Sequence, residues 1–211
     1  MPSGDVLNQA EINKPANNNV EKINKLRGKI VNYHGEVNTT AFIANEIENC
    51  VIGMNKDMPN IKKVKNCHFL KNYSYTHLFD YAFSLKDYSV YDMNEFTESS
   101  ALYLLPRGHY PANEPVNYTF KNLKKGFEKT EIHEILLSED SLLNMLYELI
   151  TSDEILSLQL NPINYDYLST HYCSIIDKTD PKKKFKMCKE TDRGAMTLLD
   201  YALKKNWKII K

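Results

Sequence analysis

The sequence predicts a mainly α fold of stacked helical hairpins, behind a small N-terminal cap and a disordered leader. Three observations predict it. The phrase Thr197-Leu198-Leu199-Asp200-Tyr201-Ala202-Leu203-Lys204-Lys205-Asn206 repeats His77-Leu78-Phe79-Asp80-Tyr81-Ala82-Phe83-Ser84-Leu85-Lys86 at a constant offset of 120 positions (77 to 197), with Leu, Asp, Tyr and Ala in register. A fixed offset is the mark of a repeat architecture, in which no unit can bury its apolar face alone. Apolar residues such as Ile132, Ile135 and Leu136, then Leu142, Leu143, Leu146 and Leu149, share helical faces. Turns carrying Pro or Asn separate these runs.

In chain order, residues 1 to 25 are polar and Asn-rich, with Pro2, Pro15 and Asn17-Asn18-Asn19, and lack the apolar content that offsets ordering entropy. They read as a disordered leader, with a secretion signal as the functional alternative. Residues 26 to 74 read as a small helical cap with one short strand. Ile30, Val31 and Tyr33 look extended, Gly35 marks a turn, and residues 41 to 47 have helical spacing. Met58-Pro59-Asn60 breaks that unit, and a basic segment with Lys62, Lys63 and Lys65 follows. Residues 75 to 211 form the repeat region. Pro106, Gly108, Pro111 and Pro115 impose a loop after Ala101-Leu102-Tyr103-Leu104-Leu105. A helical hairpin then turns at Ser138-Glu139-Asp140, and a further pair runs from Ser152 through Leu160 and, past Asn161-Pro162, from Tyr165 through Ile176. Lys182-Lys183-Lys184-Phe185-Lys186 reads as a solvated loop between the breakers Pro181 and Gly194.

The later phrase fits a known repeat grammar. Asp192 opens a turn, Thr197 caps a helix, Leu199 and Ala202 point inward, and Asn206 tolerates the positive φ that leaves the helix. That plan resembles the ankyrin repeat. It departs from it at Leu198, where ankyrins carry Pro, and at Asp200, where they carry His; the earlier copy departs further, with His77 in place of the capping Thr. The stacked units are expected to bury Leu78, Tyr81, Ala82, Leu199 and Ala202 between them.

The chain has 211 residues, enough for a core without staples, and Lys+Arg and Asp+Glu both number 27, so no net field steers it toward nucleic acid. No run nears the roughly 20 apolar residues that span a bilayer, and no basic start leads into an apolar block. Cys50, Cys67, Cys173 and Cys188 make no Cys-x-x-Cys pair, which argues against a zinc ribbon or a disulfide framework and for reduced thiols in a cytosolic setting. No cofactor or metal is expected: His171 with Cys173 and Cys188, or Cys67 with His68, match no standard ligand spacing, and no Gly-rich phosphate loop is present.

Ala101-Leu102-Tyr103-Leu104-Leu105, Glu134-Ile135-Leu136-Leu137-Ser138-Glu139-Asp140, Asp180-Pro181-Lys182-Lys183-Lys184-Phe185 and Met196-Thr197-Leu198-Leu199-Asp200-Tyr201-Ala202 occur in an order that resembles the ankyrin-repeat region of a family of type III secreted bacterial effectors, the OspC-like effectors of enteric pathogens. The resemblance covers about residues 75 to 211. It implies a module secreted by a type III-like route that binds a host protein in the host cytoplasm, in cell-death or innate immune signalling. In that family a preceding domain uses NAD to modify arginine, and residues 1 to 74 are too few and too polar to contain it, so a diverged arginine-modifying effector stands only as an alternative.

On the ankyrin plan, turn tips and outward positions form a groove. The residues expected to meet the partner are Arg193, Lys204 and Lys205 in the last unit and Ser84 and Lys86 in the first copy, and the converging cations suit an acidic partner surface. The competing class is a papain-like cysteine hydrolase, with Cys50 as nucleophile, His109 or His133 as base and Asp153 as orienter. Cys50 lacks the Gly- and Trp-flanked context of known families, and Glu131-Ile132-His133-Glu134 lacks the second His of a zincin, so no catalytic set is assigned.

Overall fold

The structure, a computed structural model, describes residues 5–7, 28–31, 34–35, 44–52, 58, 60–71, 75, 78–95, 97–107, 114–176 and 185–211. The first part of the chain lays down β1 (Asp5–Leu7), β2 (Gly28–Val31), β3 (His34–Gly35), β4 (Ala44–Glu48), β5 (Val51–Ile52), β6 (Lys63–Lys65), β7 (His68–Phe69), β8 (Asp87–Asp92), the short helix α1 (Glu98–Ala101) and β9 (Asn117–Lys121). Strands β1-β2-β4-β6-β8-β9 make one six-stranded sheet and β3-β5-β7 a second, and every pairing in both is parallel. The chain coils, adding a strand to the sheet at each turn, as a parallel solenoid. This mixed α/β architecture overturns the stack of helical hairpins expected from the sequence.

The coil sets the inward spacing of its strands. A flat strand alternates inward and outward at a period of two. Here Asn49, Asn66 and Asn122 sit at corners with φ of 53°, 49° and 53°, the left-handed region that Asn tolerates better than most residues. A corner adds one residue to the inward spacing. The buried side chains therefore run Ile47, Cys50, Ile52 in one coil and Val64, Cys67, Phe69 in the next. The expected helix over 41 to 47 is in its described part the strand β4, since Ile43 and Ile47, four apart, fit two strand periods as well as one helical turn. The corner asparagines of adjacent coils also stack, the Asn66 side-chain amide donating to Asn49 Oδ1 at 3.2 Å.

The outward face carries charges in register. Glu46 pairs with Lys63 and Lys63 with Asp87, while Glu48 pairs with Lys65. Lys63–Asp87 at 3.4 Å and Lys65–Glu48 at 3.3 Å are half-exposed ion pairs, worth about 0–1 kcal/mol each, and they favour this register over a slip by one residue.

Inside, Phe69, Phe79, Tyr88, Tyr118, Phe120, Phe127 and Trp207 form an unbroken run of ring contacts with centroids 5.7–6.5 Å apart. That run ties the coils to the C-terminal unit. Most of its rings meet edge to face, the geometry aromatic quadrupoles favour.

The last strand of the large sheet is closed by the helix α2 (Glu139–Glu148). Lone parallel bridges at Val116–Leu137 and Leu123–Leu149 flank it, so α2 occupies the place of the next strand. Its side chains meet the outward amides of β9: Tyr118 N–H donates to Ser141 Oγ at 2.9 Å, Phe120 N–H to Asn144 Oδ1 at 2.6 Å and Asn122 N–H to Glu148 Oε2 at 3.1 Å. Residues 141, 144 and 148 share one helical face. An edge that would otherwise template aggregation is thereby satisfied.

The remainder comprises β10 (Leu156–Gln159), α3 (Pro162–Thr170), β11 (Tyr172–Ile175), β12 (Phe185–Cys188), β13 (Met196–Thr197), α4 (Leu198–Leu203) and β14 (Trp207–Ile210). Strands β10 and β14 pair in parallel, and β12-β11-β13 form an antiparallel sheet. Asn164 of α3 mimics a strand by bonding both the N–H and the C=O of Leu137 at 2.9 Å.

Several expectations are corrected element by element. The leader contributes β1, and its other residues lie outside the described set, as do Tyr33, Pro59 and Lys182 to Lys184. The 26 to 74 cap is built of strands. Residues 129 to 137 hold only 3-10 turns, Phe127–Lys129 and Ile132–Glu134, because the chain there must reach the bridge at Leu137. The segment after Ser152 is the strand β10, and Tyr172–Ile175 is a strand where a helix was expected. The helices through Leu142 to Leu146 and from Leu198 to Leu203 are present, the latter capped by Thr197 as expected.

Candidate interaction surface

The two copies of the repeated phrase lie in different structures. In the second, Thr197 Oγ1 accepts from Asp200 N–H, and α4 buries Leu198, Tyr201 and Ala202. In the first, residues 78 to 86 form linked turns instead of a helix. Leu78, Phe79, Ala82 and Leu85 are fully buried and anchor it. The backbone is pinned at Tyr81, whose N–H donates to the Arg107 carbonyl at 2.8 Å, and whose own carbonyl accepts from Phe83 N–H at 2.8 Å in a γ-turn.

That pinning holds Tyr81 at φ 57°, the left-handed region, at a cost of roughly 1–2 kcal/mol for a residue with a Cβ. The ring is not buried in exchange. Tyr81 is 65% exposed, with Phe83 edge-on at 5.9 Å, so the expectation that it packs between units is corrected.

Arg107 extends the surface. Its segment bridges to Asp80, its guanidinium lies 5.7 Å from the centre of the Tyr103 ring, and its Nη2 donates to Glu131 Oε1 at 3.1 Å. The Glu131 hydrogen bond raises the Arg107 pKa further above its ordinary value. Tyr81, Phe83, Tyr103 and Arg107 thus bring together residue types that dominate binding energy at protein interfaces. Of the residues expected to meet a partner, Ser84 is exposed beside Phe83, and Lys86 is half-buried with Glu114 at 3.1 Å.

The other three lie on the C-terminal unit. Arg193 and Lys204 are exposed, in the turn before β13 and at the C-cap of α4. Lys205 is only 5% exposed. Its ammonium donates to the carbonyls of Leu146 at 3.1 Å, Tyr147 at 2.8 Å and Leu149 at 2.8 Å, closing the C-terminus of α2, and lies 5.0 Å from the centre of the Tyr201 ring. Burial pushes its pKa down to about 8, with Glu148 pulling the other way. Its three donors and the negative end of the α2 dipole suit a structural cation. The ankyrin groove that was to unite these five residues does not exist in this fold.

Cys50, the alternative nucleophile, is 1% exposed and donates its S–H to the Glu48 carbonyl at 3.1 Å. It offers no face to a substrate. His133 lies in the Ile132–Glu134 turn, and Asp153 lines an open depression of about 570 Å³ with Lys124, Lys125, Ile150, Thr151, Ser152 and Glu154, whereas His109 lies outside the described residues. The Lys125–Glu154 ion pair crosses that depression. Among the described residues no group of three His, Cys, Asp or Glu could hold a metal. His171 stacks on Tyr167 at 3.8 Å, while Cys173 and Cys188 face Met187 and Tyr172 across the β11–β12 pair.

The sequence reading missed Tyr103 and Arg107 as surface groups and placed Tyr81 inside. One signal pointed the right way: His77 stands where the helical copy has its capping Thr. No family model, no curated protein and no solved structure matches the chain. Among the described residues no helix is long and apolar enough to cross a membrane.

Proposed function

We propose that the protein is a protein-binding module that docks through the surface centred on Tyr81, the partner supplying an apolar pocket for that ring. One observation carries the reading: the fold holds a bulky aromatic at φ 57° and leaves it 65% exposed. Backbone strain persists where surrounding structure over-determines it, and an anchored, pre-ordered aromatic loses little entropy on docking. Charge does not recommend an anionic partner here, because Arg107 is already paired with Glu131 and Lys86 with Glu114. The acidic partner surface expected from Arg193, Lys204 and Lys205 is set aside for this surface. The resemblance of residues 75 to 211 to secreted effectors supplies the proposed setting: a host protein, met in the host cytoplasm after type III-like export.

A photo-crosslinking residue placed at 81 tests this, run beside one placed at the exposed Ile155. The reading predicts a discrete adduct from position 81 that Tyr103→Ala weakens and that position 155 does not give. Equal labelling from both positions would overturn it.

A further inference from the structure

We propose that Cys50 and Cys67 are a convertible dithiol, whose sulfurs a peroxide joins in a disulfide that staples two successive coils of the solenoid. The reading is independent of the Tyr81 surface. The two cysteines hold the same station in adjacent coils. Their flanks are in register on both sides, Glu48 against Lys65 and Val51 against His68. The backbone between is bonded too, His68 N–H donating to the Cys50 carbonyl at 2.8 Å and Asn49 N–H to the Lys65 carbonyl at 2.9 Å. Paired parallel strands lie about 4.8 Å apart, inside the roughly 4.4–6.8 Å between Cα atoms that disulfides span, and closing the bond draws the Cβ atoms together from that spacing to about 3.8 Å.

Both thiols point into the core at 1% and 3% exposure. Cys50 Sγ donates to the Glu48 carbonyl at 3.1 Å and Cys67 Sγ to the Lys65 carbonyl at 3.3 Å, each reaching back two residues. The Cys67 thiol also lies within hydrogen-bonding reach of Cys50, which together with burial holds Cys67 protonated far above the ordinary thiol range. The thiolate of whichever cysteine is uncovered first attacks hydrogen peroxide, with loss of water, to give a sulfenic acid, and the other cysteine sulfur then attacks that sulfur, forming S–S and breaking S–O. Two thiols and one peroxide become one disulfide and two waters. Because neither sulfur meets solvent, the reaction follows local opening of the coil, and bulky reagents are excluded.

The remaining cysteines give an internal control. Cys173 faces Met187 and Cys188 faces Tyr172, so neighbouring positions on the pleat send the two thiols to opposite faces. The full-length protein is treated with hydrogen peroxide, alkylated in denaturant and mapped by peptide mass without reduction. A second sample is refolded from denaturant in a glutathione redox buffer. The proposal predicts in both a Cys50–Cys67 linked peptide pair lighter by two hydrogens, no Cys173–Cys188 pair, and an upward shift of the thermal midpoint that a dithiol reductant reverses. Alkylation of both thiols after peroxide, pairing of either with Cys173 or Cys188, or a bond that forms only on refolding would overturn it.

Discussion

The two copies of Leu-x-Asp-Tyr-Ala are a natural comparison, because the same five-residue frame ends in opposite states. Tyr201 sits on α4, 4% exposed, with its ring 4.8 Å from Phe185. Tyr81 sits in a tight turn at φ 57°, 65% exposed. The shared residues cannot account for this, so the difference lies in what flanks and meets them. Thr197 supplies a side-chain acceptor to Asp200 N–H and its own hydroxyl donates to Asp200 Oδ2 at 2.8 Å, which closes the first helical turn. The first copy has His77 at that position, and a parallel bridge from Asp80 to Arg107 claims its backbone instead. Tertiary hydrogen bonds outweigh a helix propensity of a few tenths of a kcal/mol per residue.

The comparison breaks most visibly at the tyrosines themselves. Tyr201→Ala is expected to cost about 3–5 kcal/mol by emptying a packed aromatic site, whereas Tyr81→Ala should change stability by no more than about 0.5 kcal/mol. Denaturant midpoints of the two variants, measured side by side, check this.

Lys205 against Lys86, the lysine near the end of the first copy, sharpens it next. Lys205→Met leaves three carbonyls at the end of α2 without a donor and should cost about 2 kcal/mol or more, while Lys86→Met loses only a half-exposed ion pair. The pH dependence separates them further. Burial pushes the folded Lys205 down to about 8 against an ordinary 10.5, so between those values this site binds more of its proton in the unfolded chain and its contribution to stability rises with pH. The buried thiols Cys67 and Cys173, and above about pH 10 the buried Tyr201, pushed up to about 12, act the other way, because they stay protonated only when folded. Urea melts between pH 8 and 10 should therefore show the stability difference between the wild type and Lys205→Met shifting in favour of the wild type as pH rises, on top of the fall that the buried thiols impose on both.

Smaller effects test the cap and the strain. Thr197→Ala should cost about 1 kcal/mol, the usual worth of an N-cap. Tyr81→Gly should stabilise the fold by up to about 1 kcal/mol, since glycine takes positive φ without a Cβ penalty, less the entropy it adds to the unfolded chain. A clear loss of stability in that variant would show that the turn is not strained.

What was legible in the sequence divides along the same line. The α4 unit could be read because its signals are local: Thr197 at the cap, Ala202 inside, and Asn206 leaving the helix at φ 63°. The helix through Leu142 was legible for the same reason, with Ser138 at its cap. The solenoid was not, because Ile43 and Ile47, four apart, fit two strand periods as well as one helical turn. The echo that marks it, Ile47-Glu48-Asn49-Cys50-Val51-Ile52 against Val64-Lys65-Asn66-Cys67-His68-Phe69, is in the sequence but is shorter than the phrase that drew attention. The candidate surface was half legible. Ser84 and Lys86 were singled out for an outward position, but Arg107 comes to Tyr81 only through a long-range bridge that no spacing announces.

The most direct measurement of the central claim, that one phrase is presented in one copy and buried in the other, is tyrosine nitration of the folded protein followed by peptide mapping. The account predicts that Tyr81 is nitrated early and Tyr201 only on unfolding; equal rates at the two tyrosines, or reaction of Tyr201 first, would contradict it.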